Sequence, residues 1–131
     1  MQLENEDAAN FLAGPEGVLD GYLESVVARE IEYRLVVELG FYIPNSKVGN
    51  YCELVLSDVQ DIEYCFEMGN IAAQIPFVKC IWTSNNEFYL SLDPRLASEP
   101  FISEQDAAYF TAKHAKLTVS RRSVPNGATF R

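Results

Sequence analysis

Apart from its carboxylates, the chain holds few side chains able to do chemistry. It has one histidine, His114, and three cysteines, Cys52, Cys65 and Cys80, against 19 acidic residues. A nucleophilic cysteine needs an activating base or a positive field, and only His114 could be that base. Cys52 and Cys80 lie in apolar, strand-like contexts, where a thiol behaves as a small hydrophobe. An odd cysteine count without a CxxC pair fits neither a disulfide framework nor a zinc site, and a single histidine cannot build a multi-histidine metal centre. His114 follows Lys113 near the end of an expected helix, where a cationic imidazole is favourable, so a surface or capping role outweighs a catalytic one. Asp58, Asp61, Glu63 and Glu67 come nearest to a calcium loop but lack its pattern, and they read as a solvated edge. No phosphate-cradling glycine loop, GxSxG elbow or HExxH helix is present. Among so many carboxylates some pair lies close by chance, so their number does not establish acid–base catalysis. These residues point to a chain that is not an enzyme and that needs no cofactor and no metal.

The charge is more informative. Ten basic residues against 19 acidic ones give a net charge of −9. Residues 1–67 hold 14 acids and 3 bases, and residues 68–131 hold 5 acids and 7 bases. A strongly acidic half is repelled by the phosphates of nucleic acid and by anionic lipid, so neither is an expected partner. A basic protein would be attracted and steered by the same field; the plainer role of such charge is solubility. No apolar run approaches the roughly 18–20 residues that a membrane span needs. Met1 to Asp7 carries three acids and no base, unlike a secretory or transit peptide. Together with reduced cysteines this points to the cytoplasm.

The elements that must position these groups follow from periodicity. With 131 residues, 48% of them hydrophobic, the chain suits one domain, expected over residues 1–120, with a flexible basic tail over 121–131. Ala8, Ala9, Phe11 and Leu12 suggest a short helix that Gly14-Pro15 interrupts. Residues 18–29 fit helix or strand; the glycines favour a turn at Asp20-Gly21 and a strand over Tyr22–Ala28. Ile31, Tyr33, Leu35, Val37 and Leu39 alternate with Glu32, Arg34, Val36 and Glu38, the period of a half-buried strand. Residues 41–50 read as loop. A second strand carries Cys52, Leu54 and Leu56 inward, and alternation favours strand again over 58–67, closed by Gly69-Asn70. Strands over 78–83 and 88–92 form a hairpin with a two-residue turn at Asn85-Asn86. That register pairs Trp82 with Tyr89 on the face opposite Ile81, Phe88 and Leu90. Ser103 with Asp106 suggests a helix start, with Ala107, Phe110, Thr111 and His114 as its packed stripe and a short last strand at Leu117 and Val119.

Candidate partner-binding residues come from the wet positions of these strands: Glu32, Glu38 and Glu53, then Asp58, Asp61 and Glu63. Trp82 and Tyr89 are candidate anchors where their face is open.

The order of several short motifs resembles a group of small, uncharacterised bacterial α+β proteins, some of which sit beside secreted toxins as immunity-type proteins. The motifs are Leu19-Asp20-Gly21-Tyr22-Leu23-Glu24-Ser25-Val26, then Leu56-Ser57-Asp58-Val59, then Tyr89-Leu90-Ser91-Leu92-Asp93-Pro94 before an Asp-Ala segment and a final strand. They span about residues 18–120, roughly four-fifths of the chain. Members of that group often have His before the opening Asp; here Leu19 stands there, and no catalytic residue is carried over. The resemblance implies a compact α+β domain with a neutralising or binding role. The expected fold is therefore α+β: a twisted, mostly antiparallel sheet of about five to seven strands with one or two helices. The expected function is a non-catalytic cytoplasmic binding protein, in its sharpest form an immunity protein that blocks a basic toxin through an acidic surface. Two alternatives stay open: a small-molecule-binding or enzymatic domain with a pocket between sheet and helix, and a homo-oligomeric module such as a homodimer.

Overall fold

Alternating apolar side chains dominate the chain, and a computed structural model shows them forming one antiparallel sheet; it describes residues 1–64 and 73–123. The strands are β1 (Gln2–Glu4), β2 (Tyr22–Ile31), β3 (Arg34–Tyr42), β4 (Tyr51–Glu63), β5 (Ala73–Gln74), β6 (Lys79–Trp82), β7 (Phe88–Asp93) and β8 (Ala107–Ser120), with one helix, α1 (Asn5–Ala13). Their order across the sheet is β5-β2-β3-β4-β8-β7-β6, and β1 also pairs with β8. The expected mostly antiparallel α+β architecture is present, with a helical share of one nine-residue helix among the described residues.

One face of the sheet makes the core. Leu39, Leu54 and Leu117 lie side by side across β3, β4 and β8, as do Phe41, Cys52 and Val119 in the next row. The expected helix at the start supplies the cover: Ala8, Ala9 and Leu12 are fully buried in that cluster. Glu6 and Asp7 in its first turn suit the helix dipole. Gly17 is required by the chain's return over α1, since a Cβ there would lie 2.2 Å from the carbonyl oxygen of Leu12. In β4 the core positions change from even (Leu54, Leu56) to odd (Val59) across Asp58, whose φ is 54°. β8 changes in step, from Leu117 and Ala115 to Ala112 and Phe110, so the two strands stay paired while both swap their inward positions.

Four expectations are corrected. The helix from Ser103 is absent: residues 104–105 turn, and the strand β8 runs unbroken to Ser120. β8 is paired with β4 along one edge and with β7 and β1 along the other, and a strand bonded on both edges overrides a modest helical stripe. The alternation from Ile31 to Leu39 spans two strands rather than one. Glu32 and Tyr33 form a two-residue hairpin turn between Ile31 and Arg34, with φ of 51° and 65°. The left-handed conformation costs about 1–2 kcal/mol for each such side chain. The expected loop over 41–50 begins later, because β3 continues through Tyr42.

The fourth correction concerns the β6–β7 hairpin. Its loop has three residues, closed by the Thr83 N–H on the Glu87 carbonyl at 2.8 Å and the Asn86 N–H on the Thr83 carbonyl at 3.0 Å. Asn86 alone takes the left-handed conformation, at φ 57°, so Trp82 pairs with Phe88 and Ile81 with Tyr89. A one-residue slip turns one whole strand over. Trp82 and Cys80 therefore pack with the core, and Lys79 and Ile81 look to the other face beside Tyr89. Residue Cys65 and the expected turn at Gly69-Asn70 lie outside the described residues, as do residues 66–67 of the expected strand and most of the expected tail.

The register makes a direct prediction. Leu54→Ala should cost about 2–5 kcal/mol in urea unfolding, as a buried deletion does, whereas Glu53→Gln on the opposite face should stay within about 0.5 kcal/mol.

Candidate functional site

Every second residue of the sheet points away from α1, and this second face collects the polar side chains. Glu38 on β3 and Glu53 on β4 share it, in adjoining rows with Val55, Lys116 and Thr118. The register shift between Val59 and Asp61 returns Asp61 and Glu63 to the same face, opposite Thr111 and Tyr109. Four of the acids expected to bind a partner are thus gathered on one side of the sheet. Their surroundings differ. Glu38 is ion-paired to Arg29, and Asp58, at the backbone irregularity, lies 3.9 Å from Arg34. Asp61 accepts a hydrogen bond from the Tyr109 hydroxyl at 3.4 Å. The Asp61 charge, with burial and the Glu63 charge behind it, holds that phenol above its ordinary range. Among the described residues, Glu53, Asp61 and Glu63 have no basic partner. Glu32 stands apart, in the β2–β3 turn.

Tyrosines from three strands line one end of this face. Tyr22, Tyr42 and Tyr51 occupy a single cross-strand row, the first two rings 6.3 Å apart. Gly40 leaves the space they need, since a Cβ there would fall 2.7 Å from the Tyr51 hydroxyl and 2.6 Å from Ser25 Oγ. Arg122 lies 4.0 Å over the Tyr51 ring and is ion-paired to Glu24. The first described residues of the expected tail are therefore tied to the sheet, with the Arg122 N–H also donating to Asn50 Oδ1 at 2.8 Å.

At the other end, the segment between β7 and β8 folds over the face and is fixed by a buried ion pair that sequence reading did not single out. The Lys79 ammonium, fully buried, donates to both oxygens of Asp106 at 2.8 and 3.0 Å. It also reaches Glu99 Oε1 at 3.2 Å and the Phe101 carbonyl at 3.1 Å. Asp106 further accepts from the Tyr89 hydroxyl at 2.8 Å and from the N–H groups of Arg95 and Ser103 at 2.9 and 3.1 Å. Burial pushes the Asp106 carboxyl up, but the Lys79 ammonium and these donors outweigh it and leave its pKa at about 2. Burial, then the bond to Asp106, pushes the Tyr89 hydroxyl far above its usual range. One sequence signal was available: a lysine between Val78 and Cys80 has no wet position to occupy unless a buried carboxylate answers it.

These contacts decide the fate of the two aromatic candidates. Tyr89 is 1% exposed, its ring stacked on Tyr109 at 6.0 Å and its hydroxyl on Asp106. Trp82 is half-buried on the core side and borders a cleft of about 260 Å³ with Ile81, Pro100, Phe101 and Ile102. Asp61, Tyr109 and Thr111 line a groove of about 270 Å³ with Ile102, Ser103 and Glu104. His114 stands opposite Ser57 across the β4–β8 pair, in a third hollow of about 270 Å³ shared with Glu4, Asn5 and Lys116. Cys52 is buried and pushed up to about 12 by that burial. Cys80 is raised well above the ordinary thiol range for the same reason. Among the described residues no three His, Cys, Asp or Glu side chains converge as a metal site, and no helix is long and apolar enough to cross a membrane.

The buried pair has a pH signature. A carboxyl at about 2 in the fold, against 3.8 ordinarily, stabilises the protein above the unfolded value and loses that contribution as pH falls toward 2. Asp106→Asn should therefore cost about 3–5 kcal/mol at neutral pH. The gap between wild type and variant in urea midpoint should narrow from about pH 4 to pH 2. No protein-family model matches the chain, and neither the curated proteins nor the solved structures offer a significant match, so its architecture and site geometry carry the functional reading.

Proposed function

We propose that this chain is a non-catalytic, cytoplasmic binding protein that takes a basic protein on the sheet face opposite its core. Its most specific form is that of an immunity protein covering a basic toxin. The observation that supports this most is the gathering of Glu38, Glu53, Asp61 and Glu63, far apart in sequence, on that one face. Glu53, Asp61 and Glu63 are its working charges, because Glu38 is already answered by Arg29. Carboxylates at the rim of an interface speed encounter with a basic partner more than they slow its departure. Around them lie tyrosines, which give contact area at low conformational cost. The fold rigidifies this face at both ends, through Arg122 over Tyr51 and through the Lys79–Asp106 pair beneath Tyr89.

The test is capture from a lysate of the source cells with the tagged chain as bait, eluted by a salt gradient. A single basic protein should leave at moderate salt. Replacing Glu53, Asp61 and Glu63 by their amides should slow its association by about tenfold at low salt, with dissociation changed by less than about threefold. An unchanged association rate would refute the acidic-face reading, as would recovery of nucleic acid in place of a protein.

A further inference from the structure

We infer that the tip of the β2–β3 hairpin is the anchor of this interaction: Tyr33 enters an apolar pocket with a basic rim on the partner protein. The inference rests on the protein-binding reading above and names the contact that holds the partner once the carboxylates have steered it in.

Tyr33 is 96% exposed, its neighbour Ile31 is 48% exposed, and Val27 further along β2 is 49% exposed. Its ring contributes nothing to the core, and its backbone contributes nothing that another residue would not do better. A two-residue hairpin turn with both φ positive prefers Asn-Gly, yet this one is built from Glu32 and Tyr33 at 51° and 65°. The turn thus holds a large aromatic ring in water against local preference. Charge at the tip is also sorted. Arg29 is ion-paired to Glu38, and Arg34 lies 3.9 Å from Asp58, so both arginines already have carboxylate partners on the sheet. Glu30 and Glu32, both exposed, are left beside Ile31 and Tyr33. An apolar projection flanked by carboxylates is complementary to an apolar recess edged with lysine or arginine. Tyrosine is among the residues that most often carry the binding energy of such contacts.

Two variants test this, Tyr33→Ala and the double change Glu32→Asn with Tyr33→Gly. The double variant supplies the preferred turn residues and should raise the melting temperature by about 2–5 °C. Both variants should weaken binding of the captured basic protein by about 30-fold or more, chiefly through faster dissociation. A lower melting temperature in the double variant would show that Tyr33 serves the fold and would overturn the inference. Undiminished binding by the variants would overturn it too while leaving the acidic-face reading intact. A wild-type chain that captures nothing would count against both. A wild-type dimer in light scattering that the variants turn into monomer would assign the tip to self-association instead, and would also overturn it.

Discussion

β8 pairs with β4 along one edge and with β7 and β1 along the other, and the rest of the molecule is arranged by that fact. A strand with neighbours on both sides has only two directions for its side chains. Leu117, Ala115, Ala112 and Phe110 go to one side and meet α1 and the leucines of β3 and β4. Lys116, His114, Thr111 and Tyr109 go to the other. Whatever polar chemistry the protein has must then be assembled on that second side. After the joint change of inward positions across Asp58 and its partner strand, the register shift between Val59 and Asp61 is what brings Asp61 and Glu63 back there, in company with Glu53.

The second side would otherwise be an open surface over β6, β7 and β8. It is partly roofed by the segment between β7 and β8, and the roof is held by one ion pair. Taking Lys79 and Asp106 out of water is costly, and such a pair holds only when its remaining hydrogen-bonding capacity is filled. Here it is filled: Glu99, the Phe101 carbonyl, Tyr89 and two backbone N–H groups complete the set. Among the described residues no buried side-chain polar atom lacks a partner. The pair therefore reads as a clamp that gives the face a fixed relief. It takes Tyr89 out of contact with solvent, and leaves Tyr109, Ile102 and Glu104 to line the groove beside Asp61.

What was legible in the sequence was what depends on local period. The alternation of Cys52, Leu54 and Leu56 and the apolar side of α1 both carry over to the structure, as does the turn before Tyr22. The assignment of Glu38 and Glu53 to the wet positions of their own strands followed from the same alternation, while their meeting on one face depended on the β3–β4 register. What failed depended on long-range partners or on single backbone angles. The stripe Ala107, Phe110, Thr111 and His114 fits a helix, and only the strands on both sides decide against it. Glu32-Tyr33 resembles no common hairpin turn, so the break between β2 and β3 was hidden inside a longer alternation. One left-handed residue, Asn86, set the hairpin register and separated Trp82 from Tyr89. Lys79 and Asp106 are 27 residues apart, and nothing local links them.

The central claim is that the acids on the face opposite the core meet the partner. Carboxylate footprinting with a carbodiimide and an amine label tests it most directly, comparing the chain alone with the chain bound to the basic protein it captures. The account predicts that binding protects Glu53, Asp61 and Glu63 from modification, while Glu6 and Asp7, exposed on α1 on the other side of the sheet, label equally in both states. Protection of Glu6 and Asp7 with unaltered labelling of Glu53, Asp61 and Glu63 would contradict it and move the interface to the helical side.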